Sequence, residues 1–433
     1  MMIRGLRWWI VSLVFLAAVL NYVDRQALSA LAPTIQADLE MDDRDYANVV
    51  NVFLLAYTFA YLVSGRLVDR LGTRAGMALF VVWWSVANML TAGSQGVRSL
   101  GATRFLLGLG EAGIWPAASK VVSEWFSPRE RALAIGFYTM GSTVGATLAP
   151  LLVIPLAGAV GGEGWRVAFL ITGFVGFLWL VPWLLLNRGQ EDEKGGAAEG
   201  VAPSLGKAWS WGELVAFRPL WLLLAGRLLT DPVWYFFQFW FAKYLGSARG
   251  LDQESLSVTG FVFAAAAVGS LAGGWLSGHL VKRGMRPVAA RLRVMLGCAC
   301  LMPLAPLIAA AGGLPLALVL AGCTVFAALA WLINLTAIVV DVVPGHSLGT
   351  AFSIVAAGST VGGMAMNLLV AAMVAGSPGA DAGFLDRAFH AALGPLAALV
   401  EGRGYGAWFL VMAFLHPFAF LLLWLGGIRR ARS

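Results

Sequence analysis

Twelve long apolar stretches, separated by short polar loops, set the hydrophobic pattern of this chain. Each stretch has about 20 residues or more, the length that an α-helix needs to cross roughly 30 Å of hydrocarbon. The pattern therefore predicts an all-α membrane protein with twelve transmembrane helices. The predicted spans are 8–32, 46–65, 75–94, 100–122, 130–157, 166–187, 219–245, 255–279, 288–311, 314–342, 347–375 and 404–427.

A polar segment rich in Gly and Ala, residues 188–218, divides these spans into two sets of six. This composition is typical of a linker between domains. We predict two pseudo-symmetric six-helix bundles, over 1–187 and 219–433, joined by a cytoplasmic linker. A second polar segment, 376–403, is longer than a minimal loop and partly amphipathic, and we expect it on the periplasmic surface.

Composition supports a membrane protein, because 59% of the residues are hydrophobic and only 12% are charged. The formal net charge of +7 does not indicate a nucleic-acid partner, since the basic residues lie between apolar runs rather than on one face. Most of the 30 Lys and Arg residues fall in loops on the side of both termini, which predicts that this side is cytoplasmic. The first apolar run lacks a small-residue cleavage site and is predicted to be retained as a helix.

Enzyme chemistry has little support in the sequence. The chain has four His, no HExxH motif, no nucleophile elbow and no acidic metal cluster. The three cysteines lie inside apolar segments and have neither disulfide nor zinc spacing. We therefore expect no metal, no cofactor and no enzymatic activity, and a sensor built on a transporter-like fold remains an alternative.

An ionisable residue inside a predicted span costs at least about 2.5–3.5 kcal/mol on insertion scales and is a candidate functional residue, and four in the first half stand out. Asp24 and Arg25 are adjacent in the first span, and Arg104 and Glu111 lie in the fourth. Helical spacing places Arg104 and Glu111 on nearly one face, about 10.5 Å apart along the axis, while Asp24 and Arg25 point about 100° apart. We expect the first and fourth helices to meet around a wet cavity that these side chains line.

These residue types suit a proton-coupled carrier of an organic anion. A guanidinium stays charged and binds a carboxylate through two hydrogen bonds, whereas a desolvated acid can carry a proton. We predict that Arg25 and Arg104 bind the anion and that Asp24 and Glu111 carry protons. The alternative is that Asp24, Arg25 and Arg104 reach toward the outer interface, an explanation that is weakest for the deeper Glu111.

The seventh span carries a polar and aromatic stripe around Pro232, which we expect to break the helix and free backbone carbonyls. Gln238 lies one turn from Trp234 and Tyr235, so an amide stands beside aromatic faces. This combination suits a sugar with hydroxyls and an apolar ring face, although an aromatic packing stripe is an equally simple explanation. Asn334 in the tenth span is a further polar group at depth and a predicted substrate contact.

Two other polar residues of the second half have simpler predicted roles. Asp341 lies near the cytoplasmic end of the tenth span, where it is predicted to cap a helix or act in a gate. Asn367 in the eleventh span is predicted to form a hydrogen bond between helices.

The loop after the second span has a distinctive motif, "GRLVDRLGTR", and "GGWLSGHLVKRGMRP" stands at the matching place in the second half. Such a recurrence is typical of an internal duplication. At this motif the chain resembles the major facilitator superfamily of transporters, which implies that Asp69 pairs with a neighbouring helix in one conformation and releases it in another. An ordinary basic cytoplasmic loop is the alternative. The residues of this gating motif are Gly65, Asp69, Arg70, Gly72 and Arg74.

Longer stretches resemble one branch, the anion:cation symporters and their hexuronate (sugar acid) transporter group. The resemblance implies that Asp24 and Glu111 act in proton coupling, that Arg25 and Arg104 bind the substrate carboxylate, and that Tyr57 and Gln238 contact the sugar. The resembling stretches include "GLRWWIVSLVFLAAVLNYVDRQALSALAP", "RFLLGLGEAGIWPAASKVVSEWFSPRERALAIGFYTMGSTVGATLAP" and "DPVWYFFQFW".

The sequence thus predicts a symporter that imports a sugar acid together with protons across the bacterial inner membrane by alternating access. Its expected partners are a small carboxylate substrate, protons and the lipid bilayer, and it is expected to act as a monomer. The rival hypotheses are a carrier of other organic anions, such as a dicarboxylate or an aromatic acid, and an exporter of the same superfamily.

Overall fold

The computed structural model describes residues 5–41, 43–160, 163–187, 209–251, 258–375 and 404–428, and no β-strand occurs within these ranges. Their helices are α1 (Leu6–Ala30), α2 (Ala32–Asp38), α3 (Asp43–Thr91), α4 (Val97–Glu111), α5 (Ile114–Trp125), α6 (Arg131–Val160), α7 (Gly164–Leu186), α8 (Trp211–Ala216), α9 (Arg218–Phe239), α10 (Phe241–Arg249), α11 (Thr259–Lys282), α12 (Pro287–Leu301), α13 (Pro306–Ala310), α14 (Leu314–Val342), α15 (Leu348–Ala375) and α16 (Gly404–Leu425), with short 3-10 turns at Met302–Leu304 and Gly345–Ser347.

Helices cover all twelve predicted spans in the described residues, so the predicted fold class is confirmed. Nine helical segments of this part of the chain are long and apolar enough to cross a membrane by length and composition. One of them, Asn48–Thr91, has 44 residues and covers most of both the second and the third predicted span. The fourth span is formed by α4 followed by α5, and the seventh by α9 followed by α10.

A sharp backbone turn inside α3 separates the second span from the third. Gly72 has φ 77° and ψ 170°, which is not helical. This backbone region is open almost only to glycine, because a Cβ atom clashes there. The glycine of the predicted gating motif therefore lets the chain reverse between two spans with hardly any loop.

The chain forms two compact units. The first contains Met1–Ala216 together with Val339–Ile354, and the second contains Phe217–Ile338 together with Val355–Ser433. The first unit therefore includes the end of α14 and the beginning of α15, although both helices come from the second half of the sequence. The predicted linker lies outside the described residues over 188–208, as does the predicted periplasmic segment 376–403.

Pairs of glycines allow neighbouring helices to pack closely against α1 and α9, the helices that contain several candidate site residues. Cβ atoms added to Gly141 and Gly145 of α6 would lie 2.5 and 2.4 Å from backbone carbonyl oxygens of α1. In the second unit, Cβ atoms on Gly358 and Gly362 of α15 would lie 2.8 and 2.4 Å from carbonyl oxygens of α9. Small residues four apart allow such close helix packing in membranes.

The expectation that Pro232 breaks its helix is wrong, because α9 runs without interruption from Arg218 to Phe239. Proline removes the backbone bond to the carbonyl four residues earlier, that of Leu228. That carbonyl oxygen lies against Gly362 of α15. Close packing with a neighbouring helix thus accommodates the proline, as transmembrane helices allow.

Candidate functional site

A buried ion pair joins α1 to the end of α4 in the first unit. Both Nε and Nη2 of Arg25 lie 2.8 Å from Oε2 of Glu111. The Glu111 side chain is fully buried, whereas that of Arg25 is 23% exposed. Oε1 of Glu111 has no hydrogen-bond partner among the described residues. The acid is therefore fully buried, whereas part of its arginine partner is exposed.

Three aromatic rings lie against the Arg25 guanidinium, and with Trp115, which contacts two of them, they form what we call the aromatic cage: Tyr22, Phe53, Tyr57 and Trp115. The guanidinium carbon lies 4.7 Å from the ring centroids of Tyr22 and Tyr57 and 5.3 Å from that of Phe53. Trp115 Nε1 donates a hydrogen bond of 2.7 Å to the Tyr57 hydroxyl. Cation–π contacts of this kind stabilise a guanidinium at depth. The cage fixes Arg25 beside Glu111 without providing a second charge.

Asp24 faces a different set of partners, centred on Asn88 of α3. Oδ1 of Asp24 accepts a hydrogen bond of 2.8 Å from Asn88 Nδ2, and Oδ2 has no hydrogen-bond partner among the described residues. The Asn88 amide also donates to Thr172 Oγ1 and accepts from Arg104 Nη2 at 3.3 Å. Arg104 donates further to Thr91 Oγ1 at 2.6 Å. Asn88 thus connects the acid of α1 with the arginine of α4.

These two networks link α1 to the fourth span, while the expected wet cavity between them stays a prediction. Arg25 reaches Glu111 directly, and Asp24 reaches Arg104 through Asn88, so each network contains one acid and one arginine. Arg104 is only 2% exposed and its guanidinium stands 5.0 Å above the Phe169 ring. Arg25 is therefore more accessible than Arg104, and the roles of both remain predictions.

Sequence reasoning missed Asn88 and three members of the aromatic cage. Asn88 is a lone amide in the apolar stretch "VVWWSVANMLT", and its polarity at depth was a usable signal. Phe53, Tyr22 and Trp115 gave no such signal, because aromatic residues are common in any membrane helix.

The predicted substrate contacts of the second unit lie on α9 and α14. Trp234, Tyr235 and Gln238 are half-buried on α9. Tyr235 packs against Gly363 of α15, and Trp234 meets the Phe263 ring edge to face at 6.0 Å. The stripe therefore has packing contacts on neighbouring helices, and its role in binding stays a prediction.

The two predicted amides of the second half lie in different places. Asn334 is fully buried and donates to the carbonyl oxygens of Gly273 and Ala330 at 3.1 and 2.8 Å. Asn367 Oδ1 accepts a hydrogen bond of 2.9 Å from Trp240 Nε1, which confirms the predicted bond between helices. Asn334 thus also forms a hydrogen bond to a neighbouring helix, and its contact with substrate stays a prediction.

Asp69 of the gating motif binds the first turn of α15. Oδ1 accepts from the Gly349 amide at 2.9 Å, and Oδ2 accepts from the Thr350 amide at 2.7 Å and the Thr350 hydroxyl at 2.6 Å. Lys120 Nζ lies 3.1 Å from Oδ1. The first amides of a helix have no partner within it, so a carboxylate there is well placed. Asp69 therefore ties segment Val339–Ile354 to the rest of the first unit.

The other motif residues support this contact or face outward. A Cβ atom on Gly65 would lie 2.0 Å from the Gly349 carbonyl oxygen, so only glycine fits without displacement. Arg74 Nη2 donates to the Leu184 carbonyl at 2.9 Å, and Arg70 is exposed. The predicted role of this motif as a gate is compatible with these contacts and remains a prediction.

An ion pair also binds the segment Val339–Ile354 to α6. Arg131 Nη1 lies 3.0 Å from Oδ1 of Asp341 at the end of α14. The side chains are 14% and 1% exposed. Asp341 therefore pairs with Arg131 at the start of α6, and its role as a cap or gate stays a prediction.

The site offers binding and proton chemistry. A carboxylate approaching Arg25 from its exposed side can replace Glu111 as partner if Glu111 takes up a proton. Within the described ranges, no group of three or more His, Cys, Asp or Glu residues could hold a metal ion.

The known proteins that this chain resembles are membrane transporters. The model of the Major Facilitator Superfamily matches residues 14–367. The hexuronate transporter of Escherichia coli K12 is 32% identical over 286 residues, which cover 63% of this chain and 66% of that protein. A galacturonate transporter of Dickeya chrysanthemi is 31% identical over 287 residues, covering 63% of this chain and 82% of that protein. A probable galactarate/D-glucarate transporter of Bacillus subtilis is 32% identical over 317 residues, covering 66% and 68%.

Solved structures show the same fold. The proton:xylose symporter XylE, bound to 6-bromo-6-deoxy-D-glucose, superimposes with a TM-score of 0.70 over 98% of this chain and 96% of its own, at 14% identity. At this identity the similarity concerns the fold alone.

Proposed function

This chain belongs to the Major Facilitator Superfamily of membrane transporters, and we propose that it imports a sugar acid together with protons across the bacterial inner membrane. It is a multi-pass membrane protein whose substrate is a small molecule. The proposed substrate is a monocarboxylate such as a hexuronate or an aldonate, by analogy with its sugar-acid relatives. We further propose cytoplasmic termini and a monomeric transporter.

One observation carries the proposal: the ion pair between accessible Arg25 and buried Glu111 within the aromatic cage. Arg25 and Glu111 lie 2.8 Å apart, so the arginine already has an anionic partner within the protein. A substrate carboxylate that binds Arg25 must compete with Glu111. Protonation of Glu111 removes that competitor, because a neutral acid no longer attracts the guanidinium.

This competition couples the two cargoes. With Glu111 protonated, Arg25 is free to bind the substrate carboxylate, and a proton and an anion occupy the site together. Release of the proton restores the carboxylate of Glu111, which displaces the substrate from Arg25. Symport follows, because each loaded form contains both the proton and the anion. The cage adds aromatic faces on which the apolar side of a sugar ring can rest.

Asp24 is the proposed second acid. Asn88 donates a hydrogen bond to Asp24 and accepts one from Arg104, so a single side chain links the acid to the arginine. Arg104 is the proposed second arginine of the carboxylate site, and Gln238 and Tyr57 are proposed sugar contacts. Alternating access then depends on breaking and remaking the contacts of Asp69 with α15.

The proposal is tested with purified protein in liposomes and labelled galacturonate or glucuronate. Under an inward proton gradient the protein should accumulate the label, and a protonophore should abolish the accumulation. Glu111→Gln should keep exchange of internal for external substrate, since Arg25 is then permanently free, but should lose uphill accumulation. Glu163→Gln is the matched control, because that acid is 75% exposed at the start of α7 and should change neither assay.

Two results would contradict the proposal. Accumulation by the Glu111→Gln protein would show that Glu111 does not carry the coupling proton. Failure of the unmodified protein to bind or move any sugar acid, while it moves another organic anion from a competition panel, would refute the substrate class.

A further inference from the structure

Trp115 is a half-buried ring of the aromatic cage at the start of α5. The other residues of 114–123 are all buried, so Trp115 is the side chain of this stretch that reaches the surface. It lies four residues after Glu111, where the fourth span continues from α4 into α5. Trp115 is therefore partly exposed close to the ion pair of the first unit.

Contacts within the cage fix the orientation of the Trp115 ring. Its Nε1 donates a hydrogen bond of 2.7 Å to the Tyr57 hydroxyl, and the Tyr57 side chain also forms a hydrogen bond with Arg25. The ring meets those of Tyr22 and Tyr138 at centroid distances of 6.3 Å, with interplanar angles of 86° and 42°. A single hydroxyl group thus separates the indole N–H from the guanidinium.

The other three rings of the cage lie against the guanidinium. Phe53 and Tyr57 are only 6% and 5% exposed, and their faces leave little room for a sugar ring. Tyr22 is half-buried, with the guanidinium carbon 4.7 Å from its ring centroid. Within the part of the chain that the structure describes, Trp115 has neither a cation–π contact with Arg25 nor a parallel stack with another ring. Trp115 therefore offers a flat face to a ligand that reaches Arg25.

The proposed substrates differ in shape. A hexuronate retains its aldehyde, which closes with a hydroxyl into a pyranose ring, whereas an aldonate lacks the aldehyde and remains an open chain. In the pyranose the carboxylate is bonded directly to a ring carbon, so a hexuronate bound to Arg25 places its ring next to the guanidinium. The rigid ring presents several C–H groups to an aromatic face at once, while an open chain must lose bond rotations to do the same.

We propose that Trp115 is a specificity-determining residue that stacks on the pyranose ring of the substrate and so selects hexuronates over open-chain aldonates. The inference rests on the proposed function, because it requires the substrate carboxylate to bind Arg25. The carboxylate fixes one end of the substrate, and Trp115 stabilises a substrate whose adjacent atoms form a ring. Both contacts lie within the first unit.

The test compares galacturonate with galactonate as competitors of labelled galacturonate uptake into liposomes. In the unmodified protein the inhibition constant of galactonate should exceed that of galacturonate by about tenfold, the effect of one aromatic contact. Trp115→Leu keeps an apolar side chain but removes the flat face, so the galacturonate constant should rise about tenfold and the galactonate constant by less than about threefold. Trp115→Phe keeps a flat face without the N–H group and should retain the preference for the ring.

Trp83→Leu is the matched control, because Trp83 Nε1 also donates a hydrogen bond, of 2.9 Å to the Leu106 carbonyl, but lies outside the cage. It should change neither inhibition constant. Equal inhibition by the two acids in the unmodified protein overturns the inference, and this comparison needs no variant to fold. A preference that survives in folded Trp115→Leu, or disappears in folded Trp115→Phe, overturns it as well, and all three results leave the proposed function intact. Absence of sugar-acid binding by the unmodified protein would instead refute the proposed function itself.

Discussion

The contact of Asp69 with α15 allows a quantitative prediction, because the carboxylate accepts three hydrogen bonds from two residues of that helix, in addition to its ion pair with Lys120. Asp69→Asn keeps the shape of the side chain but removes its charge and replaces one acceptor oxygen with a donor NH2 group. That group then faces either the Gly349 amide or the Thr350 donors, all at 2.6–2.9 Å. The fully buried side chain has no water to compensate for this mismatch.

The size of the effect follows from the bonds lost. Hydrogen bonds to a charged group contribute roughly 1.5–3 kcal/mol and neutral ones roughly 0.5–1.5 kcal/mol. One lost bond and two weakened bonds amount to about 3 kcal/mol, which corresponds to roughly a hundredfold change in an equilibrium constant. Asp69→Asn should therefore open the first turn of α15 about a hundred times more often.

Hydrogen–deuterium exchange measures this opening directly. Peptides that cover residues 345–352 should exchange about a hundredfold faster in the Asp69→Asn protein, while peptides from α16 should not change. Asp38→Asn serves as the matched control, since it removes a hydrogen-bonded acid of the same unit that does not contact α15. Exchange at Gly349 and Thr350 within threefold of the unmodified protein would refute the argument that Asp69 holds this turn.

Three further predictions use stability or flux as the measurement. Gly72→Ala should lower the Tm by forcing a Cβ atom into a backbone with φ 77°, at a cost of roughly 1–3 kcal/mol, whereas Gly101→Ala in open space on α4 should preserve or raise it. Burial raises the pKa of the Glu124 carboxyl, just beyond the fourth predicted span, so its folded form binds a proton more readily than its unfolded form and stability falls as the pH rises through that pKa. Glu124→Gln should therefore flatten the decline of the Tm as the pH rises above the ordinary glutamate range, and an unchanged slope would contradict this. Asn88→Leu should leave Asp24 and Arg104 without their shared partner and reduce proton-driven uptake by tenfold or more in liposomes, and normal uptake by folded protein would show that the link is dispensable.

Local sequence patterns were enough to predict the helices and the candidate charges. Span length and apolar character are local properties of consecutive residues, so they predicted the long apolar helices that the described residues form. Charge inside an apolar span is equally local, and it marked Asp24, Arg25, Arg104 and Glu111 before any contact was known. The close packing of α1 by glycines of α6 was not visible, because a glycine in a helix gives no indication of its neighbour.

The partners of these charged groups could not be predicted from the sequence, because they depend on how the helices pack. Arg25 and Glu111 are 86 residues apart, and Asp69 and Thr350 are 281 apart, so pairing depends on how helices pack rather than on sequence spacing. Packing likewise lets α9 continue through Pro232, because α15 lies against the carbonyl that the proline releases. Local pattern fixes where a helix and its charges lie along the chain, and the distances between helices fix what those charges can do.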